Sequence, residues 1–161
     1  MKKIRGYIFS REFLGERAPQ HVQNIVIRDY CKKNNLEFFL SAVEYAMPES
    51  SLMLEQIFKE IKLMDGIIAY SLFQLPNNKN LRNNIYDKII SNKKEFHFAV
   101  ESMCIKANED IIRIENIWNT KKILINVLII SNKWKKNFYK YYTIRLKEIL
   151  LNVCRMIKLN V

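Results

Sequence analysis

The residues best suited to chemistry in this chain lie within residues 6–24, around a short polar loop. A hydroxyl group, that of Ser10, is followed by two guanidinium groups, those of Arg11 and Arg17, and then by the imidazole of His21. Arginine binds phosphate and carboxylate groups through paired hydrogen bonds, and histidine titrates near neutral pH. These residue types predict a binding site for a polar or anionic molecule at this loop.

Apolar strands alternate with amphipathic helices along the first 120 residues, and this order determines where the polar residues lie. The strands are predicted at residues 3–9, 36–43, 67–70 and 95–100, with helices after residues 19, 51, 80 and 108. This alternation predicts an α/β fold of three layers, with a mostly parallel sheet of four to five strands and helices on both faces. The first helix is predicted to bury the residues at helical spacing, which are Val22, Ile25, Val26 and Tyr30. The serines before the second helix are predicted to cap it.

In an open parallel sheet, ligands bind beyond the carboxyl ends of the strands, near the point where strand order reverses. Polar residues that follow the other strands would therefore face the first loop. The predicted ligand-binding residues are Ser10, Arg11, Arg17, Gln20, His21, Glu44, Tyr70, Ser71, Gln74 and Glu101. Three acids, Glu12, Glu44 and Glu101, could act in acid–base chemistry if their pKa values are raised, or could be solvated loop residues. No catalytic residue is assigned, and whether the chain is an enzyme stays open.

Several familiar sites are not indicated by the sequence. It contains neither a GxGxxG motif nor a Walker loop, so no cofactor is predicted. His21 could serve as a general base or phosphate contact, or be an exposed helix residue. His97 lies between Phe96 and Phe98 and is interpreted as structural. Two histidines without a nearby set of ligands do not predict a metal site.

The positive charge is concentrated at the carboxyl-terminal end. Of the net charge of +11, residues 121–161 supply +9, from ten lysines and arginines against one acid, Glu148. We expect residues 1–120 to form the α/β domain and residues 121–161 to form a basic extension that is amphipathic and helical. Its stretch 123–130 could instead be an edge strand. The predicted apolar face consists of Trp134, Phe138, Tyr142, Leu146, Ile149, Val153 and Ile157.

Three roles for this extension stay open: nucleic-acid binding, homodimerisation, and association with an anionic membrane surface. The longest apolar run is far short of the roughly 20 residues of a membrane span, so no transmembrane segment is predicted. The three cysteines form no CxxC pair, and no secretory signal precedes the first strand. A reduced protein of the cytoplasm is therefore expected.

Across residues 1–76 the chain resembles the catalytic domain of serine recombinases of the resolvase type. Gly6-Tyr7 followed by Ser10 is similar to the family's Gly-Tyr-x-Arg-x-Ser opening, and Gln20 and Gln23 lie where its glutamine-containing first helix begins. The resemblance implies a resolvase-like fold, in which the serine attacks a DNA phosphate and clustered arginines stabilise the charge. Here the arginine before the serine is absent, and residues 73–74 read Phe-Gln in place of Asp-Arg. Phosphoryl transfer depends on such charges, so strand-exchange activity is not expected.

Five further segments resemble the sporadic carbohydrate cluster proteins, which are encoded among genes for surface polysaccharide biosynthesis. They are residues 5–11, 19–24, 41–47, 65–76 and 96–101. This resemblance implies an accessory protein or small enzyme of polysaccharide or lipopolysaccharide biosynthesis that binds a sugar phosphate or nucleotide sugar. The alternatives are a DNA-binding relative of the recombinases without strand-exchange activity, or a dimerisation module.

Overall fold

The structure, a computed structural model, describes the backbone of residues 1–13, 17–47 and 50–158, and the side chains of these residues up to residue 135. The elements in chain order are β1 (Lys2–Phe9), α1 (Gln20–Lys33), β2 (Leu36–Glu44), α2 (Leu52–Lys59), β3 (Gly66–Ala69), α3 (Lys79–Ser91), β4 (Glu95–Phe98), β5 (Met103–Ile105) and α4 (Asn108–Lys158). Short 3₁₀ turns occupy Ile61–Leu63 and Leu72–Gln74.

Five strands form one sheet in the order β2-β1-β3-β4-β5, and all neighbours are parallel except β4 and β5. The predicted α/β fold with a mostly parallel sheet is therefore confirmed. Strand order reverses between β1 and β3, so the carboxyl ends of these two strands flank the place where ligands bind in such sheets.

The antiparallel strand β5 was missed by the sequence prediction, which ran the fourth strand to residue 100. The strand β4 ends at Phe98 because the chain turns back through residues 99–102. Ser102 adopts the left-handed conformation in this turn, with φ of 51°. Positions with positive φ in turns are usually glycine or asparagine, so the serine at position 102 did not indicate a turn in the sequence.

Side chains alternate between two apolar cores along the central strands. On one face, Ile4 and Ile8 of β1 join Ile68 of β3 against α1. On the other face, Tyr7, Phe9 and their neighbours join α2, α3 and the first turns of α4. The period of two along a strand produces this division and confirms the three-layer prediction.

The buried face of α1 differs from the predicted one. The fully buried residues are Gln23, Ile27 and Cys31, spaced four apart. Val22, Val26 and Tyr30 flank this stripe, whereas Ile25 is 63% exposed, so its assignment to the core was wrong. The stripe contains a glutamine because its amide hydrogen-bonds the main chain of Phe9 at the end of β1.

A buried ion pair joins α3 to the start of α4. Arg82 binds both carboxylate oxygens of Glu115, at 2.6 and 2.8 Å, and its guanidinium lies 4.0 Å from the ring centre of Trp118. Tyr86 donates a third hydrogen bond to Glu115. This bidentate geometry satisfies both charges within the core.

The chain divides into two units, residues 1–119 and 120–161. In the second unit the backbone is helical through Lys158, so residues 123–130 are helix and not an edge strand. Most of its described apolar side chains, including Leu128, Ile129 and Trp134, are exposed, and Ile125 is partly buried. The predicted apolar face beyond Trp134 lies outside the described side chains. No described helix is both long and apolar enough to cross a membrane.

Gly6 lets β1 and β2 approach closely at a shift in their register. A Cβ atom at Gly6 would lie 2.2 Å from Ser41 Oγ and 2.9 Å from a ring carbon of Phe38. The space holds the Ser41 hydroxyl, which donates to Asn24 of α1 at 2.7 Å. Glycine at this position therefore allows β2 to be tied to α1 across β1.

We predict that Gly6→Ala lowers the free energy of unfolding by about 1–3 kcal/mol, the usual cost of overpacking. Urea denaturation measures this cost. In a Ser41→Ala background the same substitution should cost less, because the nearest clashing atom is gone. An equal cost in both backgrounds would contradict the assignment of the clash to Ser41.

Candidate functional site

The end of β1 is held by the side-chain amide of Gln23. This amide accepts a hydrogen bond from the Phe9 N–H at 3.0 Å and donates to the Phe9 carbonyl at 2.8 Å and the Ala18 carbonyl at 2.7 Å. Gln74 donates to Gln23 Oε1 at 2.9 Å. Both glutamine side chains are fully buried. Their amides supply hydrogen bonds to main-chain groups at the point where strand pairing ends.

The residues after β3 form one hydrogen-bonded cluster. Gln74 accepts from the Tyr70 N–H at 2.9 Å and from the Ser71 N–H at 3.3 Å. The Ser71 hydroxyl donates to Glu101 at 2.6 Å, and the Leu72 N–H donates to the other oxygen of Glu101 at 3.0 Å. Four predicted site residues are thus brought together, and their polar atoms bind one another.

Ser10 and Glu44 meet at the ends of β1 and β2. The Ser10 hydroxyl donates to the main-chain carbonyl of Glu44 at 3.0 Å. The Glu44 carboxylate points the other way and accepts from the Tyr7 hydroxyl at 3.0 Å, the Ser50 hydroxyl at 2.8 Å and the Met53 N–H at 3.1 Å.

Glu44 supplies the cap of α2. Its carboxylate lies at the N–H groups of Met53 and Leu54, in the first turn of the helix, where negative charge is favoured. Ser51 stands at the N-cap without a side-chain capping bond, so the prediction that serine caps this helix was wrong. Burial raises the pKa of Glu44, but the hydrogen bonds from Ser50 and other donors outweigh it and lower the pKa below its ordinary value. This carboxylate is ionised at neutral pH, which is the wrong state for a general acid.

The guanidinium of Arg11 is hydrogen bonded to backbone carbonyls of the protein itself. Its terminal nitrogens donate to the carbonyls of Tyr45, Met47 and Ser50 at 2.6–2.9 Å, and the guanidinium lies 4.3 Å from the ring centre of Phe9. The arginine therefore ties the loop after β2 to the loop after β1. Arg17, Gln20 and His21 are exposed, before and at the start of α1.

A cavity of about 390 Å³ opens at this edge, between the loops after β1, β2 and β3. Of the ten predicted ligand-binding residues, Arg11 and Gln74 line it. The other lining residues are Tyr7, Phe9, Glu12, Phe13, Ala46, Ser50, Phe73, Leu75, Pro76 and Asn77. The cavity lies at the predicted place in the fold, but its walls are more aromatic than predicted.

Gln23 is the main residue that sequence reasoning left out of the site. A polar residue at the start of a buried helical stripe was the available signal, but the predicted stripe was placed on its neighbours. The partners Phe9 and Gln74 lie 14 and 51 residues away, so no local pattern connects them.

Two solved structures have a similar fold. One is the N-terminal catalytic domain of TP901-1 integrase, with a TM-score of 0.55, 13% sequence identity, and coverage of 76% of this chain and 98% of the integrase domain. The other is a resolvase family site-specific recombinase from Streptococcus pneumoniae, with a TM-score of 0.54, 11% identity, and coverage of 83% and 97%. At these identities the likeness shows the fold, and the expected resolvase-like fold is confirmed.

No protein-family model matches this chain, and no curated protein sequence matches it either. The resemblance to the carbohydrate cluster proteins therefore gains no support from these comparisons.

We predict that Glu44→Gln lowers the free energy of unfolding by about 2–3 kcal/mol at pH 7, because a hydrogen-bonded charge is removed. A carboxylate with a lowered folded-state pKa stabilises the fold above its ordinary pKa of about 4.3, and this contribution disappears as the pH falls through the folded-state value. Denaturation from pH 7 to pH 3 should show the variant approaching the wild type in acid.

Glu37→Gln, on the exposed part of β2, is the matched control and should change stability little at either pH. A gap between wild type and Glu44→Gln that stays constant down to pH 3 would contradict the ionised, buried carboxylate.

Proposed function

We propose that this chain is a serine-recombinase-like DNA-binding protein that does not carry out strand exchange. The resolvase-like fold supports the recombinase relationship, because the similar structures are named as an integrase catalytic domain and a site-specific recombinase. The observation that carries the proposal is the separation of positive charge from the serine. Residues 121–161 hold a charge of +9, whereas residues 1–120 hold +2.

The surroundings of Ser10 argue against phosphoryl transfer. A serine that attacks a phosphate needs cations where negative charge develops. Here its hydroxyl donates to the carbonyl of Glu44, a residue whose own buried carboxylate is ionised. The adjacent cation, Arg11, donates to three backbone carbonyls. The charge balance around Ser10 therefore opposes the transfer of a phosphoryl group to this serine.

The basic extension supplies what DNA binding requires. Lysines and arginines that neutralise phosphates release condensed counterions, which gives affinity without sequence recognition. The side chains of Lys133 and Lys135 are exposed on α4. A homodimer through the exposed apolar residues of α4 would present two such segments to one duplex.

The test replaces four lysines of the extension by glutamine and measures binding to duplex DNA by gel shift over a range of salt concentrations. They are Lys133, Lys135, Lys136 and Lys140. Affinity should fall, and the slope of log K against log salt should decrease by up to about 0.9 for each phosphate that the variant no longer neutralises. Ser10→Ala should bind as tightly as the wild type.

The matched control neutralises four exposed lysines of the first unit, Lys32, Lys59, Lys62 and Lys93, and should retain binding. Light scattering on the same samples checks that the oligomeric state is unchanged. Equal reductions in affinity in the two quadruple variants, or no binding by the wild type at low salt, would reject the proposal.

Small-molecule binding is a second candidate, favoured by the cavity at the switch point. Its volume of about 390 Å³ suits a small ligand. Four aromatic side chains, those of Tyr7, Phe9, Phe13 and Phe73, line the space together with Arg11. The proposed ligand class is a sugar phosphate or nucleotide sugar, consistent with the resemblance to the carbohydrate cluster proteins.

We predict that a panel of sugar phosphates and nucleotide sugars contains a compound that raises the melting temperature of the wild type. The substitution Ala46→Trp puts a large ring into the cavity wall and should abolish the shift. Ala107→Trp, at an exposed residue outside the cavity lining, should leave it intact. No shift with any compound, or a shift that survives Ala46→Trp, would rule out this candidate.

A further inference from the structure

Three side chains with metal-ligating atoms meet where β4 pairs with β5, away from the cavity described above. Glu95 and His97 lie two residues apart on β4 and so point to the same face. Cys104 of β5 lies directly opposite His97 in the antiparallel register. One ligating atom from each of the three lies within 4.8 Å of the others.

The distances between these atoms fit a tetrahedral metal ion. His97 Nε2 lies 3.7 Å from Cys104 Sγ and 3.1 Å from Glu95 Oε2. Bond lengths of about 2.3 Å to sulfur and about 2.0–2.1 Å to nitrogen and oxygen, at tetrahedral angles, place these pairs about 3.6 and 3.4 Å apart. The ligating atoms of Glu95 and Cys104 lie within 4.8 Å of each other, against about 3.6 Å in such a site, so binding one ion requires these two side chains to approach by up to about 1.2 Å.

We propose that Glu95, His97 and Cys104 form a site for a divalent transition metal, and that Zn²⁺ is the ion it fits best. Thiolate and imidazole ligands favour Zn²⁺ over Mg²⁺ and Ca²⁺, which prefer sites made of oxygen alone. The cluster lines an open cleft of about 580 Å³, so a fourth ligand can be water or a small molecule. Three protein ligands with an open position are typical of reactive zinc sites.

Contacts outside the cluster are arranged to orient the ligands. Tyr30 Oη lies 3.1 Å from His97 Nδ1, the ring nitrogen that faces away from Cys104 and Glu95. With a metal on Nε2, the ring proton resides on Nδ1 and is donated to the tyrosine oxygen, a common outer contact of metal-binding histidines. His97 is thus held with the correct nitrogen toward the ion.

The carboxylate of Glu95 divides its two oxygens between different partners. Oε2 faces His97, whereas Oε1 pairs with the ammonium groups of Lys2 at 2.5 Å and Lys106 at 3.6 Å. Oε2 can bind the ion while Oε1 keeps its lysine partners. The lysines then compensate the carboxylate in the way that outer-shell hydrogen bonds do at known metal sites.

Binding is balanced in charge and protons. The Cys104 S–H bond breaks, its proton goes to solvent, and an S–Zn bond forms. The proton of His97 moves from Nε2 to Nδ1 and stays on the ring. One thiolate and one carboxylate carry two negative charges against the two positive charges of the ion, and Lys2 and Lys106 beside Glu95 leave the surroundings of the site positive.

The test treats the full-length protein with a chelator and then titrates it with Zn²⁺ against a chromogenic competitor. One ion should bind per chain. Co²⁺ in its place should give a thiolate-to-cobalt charge-transfer band and the intense visible bands of tetrahedral cobalt. Mg²⁺ in excess should not displace either ion.

Cys104→Ser and His97→Gln should each weaken Zn²⁺ binding about tenfold or more, since removing an outer-shell partner alone already has an effect of that size. The control variant carries Cys31→Ser and Cys154→Ser, which leaves Cys104 as the sole thiol of the chain. It should keep both the affinity and the charge-transfer band. His21→Gln is the control for the histidine.

Circular dichroism verifies that each variant is folded, and if His97→Gln is not, the Cys104→Ser result decides. The proposal is overturned if Cys104→Ser binds as tightly as the wild type. It is equally overturned if the protein with Cys104 as its sole thiol shows no charge-transfer band.

Discussion

The buried carboxylate of Glu44 is the interaction on which the carboxyl edge of the sheet depends. It joins the Tyr7 hydroxyl of β1, the Ser50 hydroxyl of the following loop and the first turn of α2, all from the end of β2. Burying a charge is costly unless several donors replace water, and here the donors come from three separate segments. The carboxylate therefore fixes where α2 begins and how the second loop folds back.

The buried amide of Gln23 connects the ends of β1 and β3, as the buried carboxylate of Glu44 connects β1, the loop after β2 and α2. Its amide hydrogen-bonds both main-chain groups of Phe9 and accepts a hydrogen bond from Gln74. Gln74 in turn accepts a hydrogen bond from the Tyr70 N–H after β3. Polar side chains at the ends of parallel strands can bind either a ligand or one another. In this chain the predicted ligand-binding residues Glu44, Ser71, Gln74 and Glu101 form hydrogen bonds within the protein. The cavity is lined by aromatic and other apolar side chains together with Arg11, Glu12, Ser50, Gln74 and Asn77.

The fold could be predicted from the sequence because it depends on local periodicity. Short apolar runs bounded by polar loops predicted β1 to β4, and helical spacing of apolar residues predicted the helices. The errors have two causes. The strand β5 is only three residues long and follows a turn without glycine or asparagine, so its pairing with β4 five to nine residues away had no sequence signal, and the cluster of Glu95, His97 and Cys104 was missed with it. The buried stripe of α1 begins with a glutamine whose partners lie 14 and 51 residues away, in β1 and in the turn after β3.

The hydrogen bonds at the carboxyl edge of the sheet also bear on where positive charge in this chain can bind a phosphate. At the end of β2 a buried carboxylate is ionised, and the guanidinium of Arg11 beside Ser10 is bound to backbone carbonyls. A site that stabilised the charge developing in phosphoryl transfer at Ser10 would draw on Arg11, whose hydrogen bonds tie the loop after β1 to the loop after β2. Stability of this edge and phosphate chemistry at Ser10 therefore compete for the same guanidinium. In the proposed function, the excess of lysine and arginine in residues 121–161 serves phosphate-backbone binding without this competition, because such binding requires charge but no catalytic geometry.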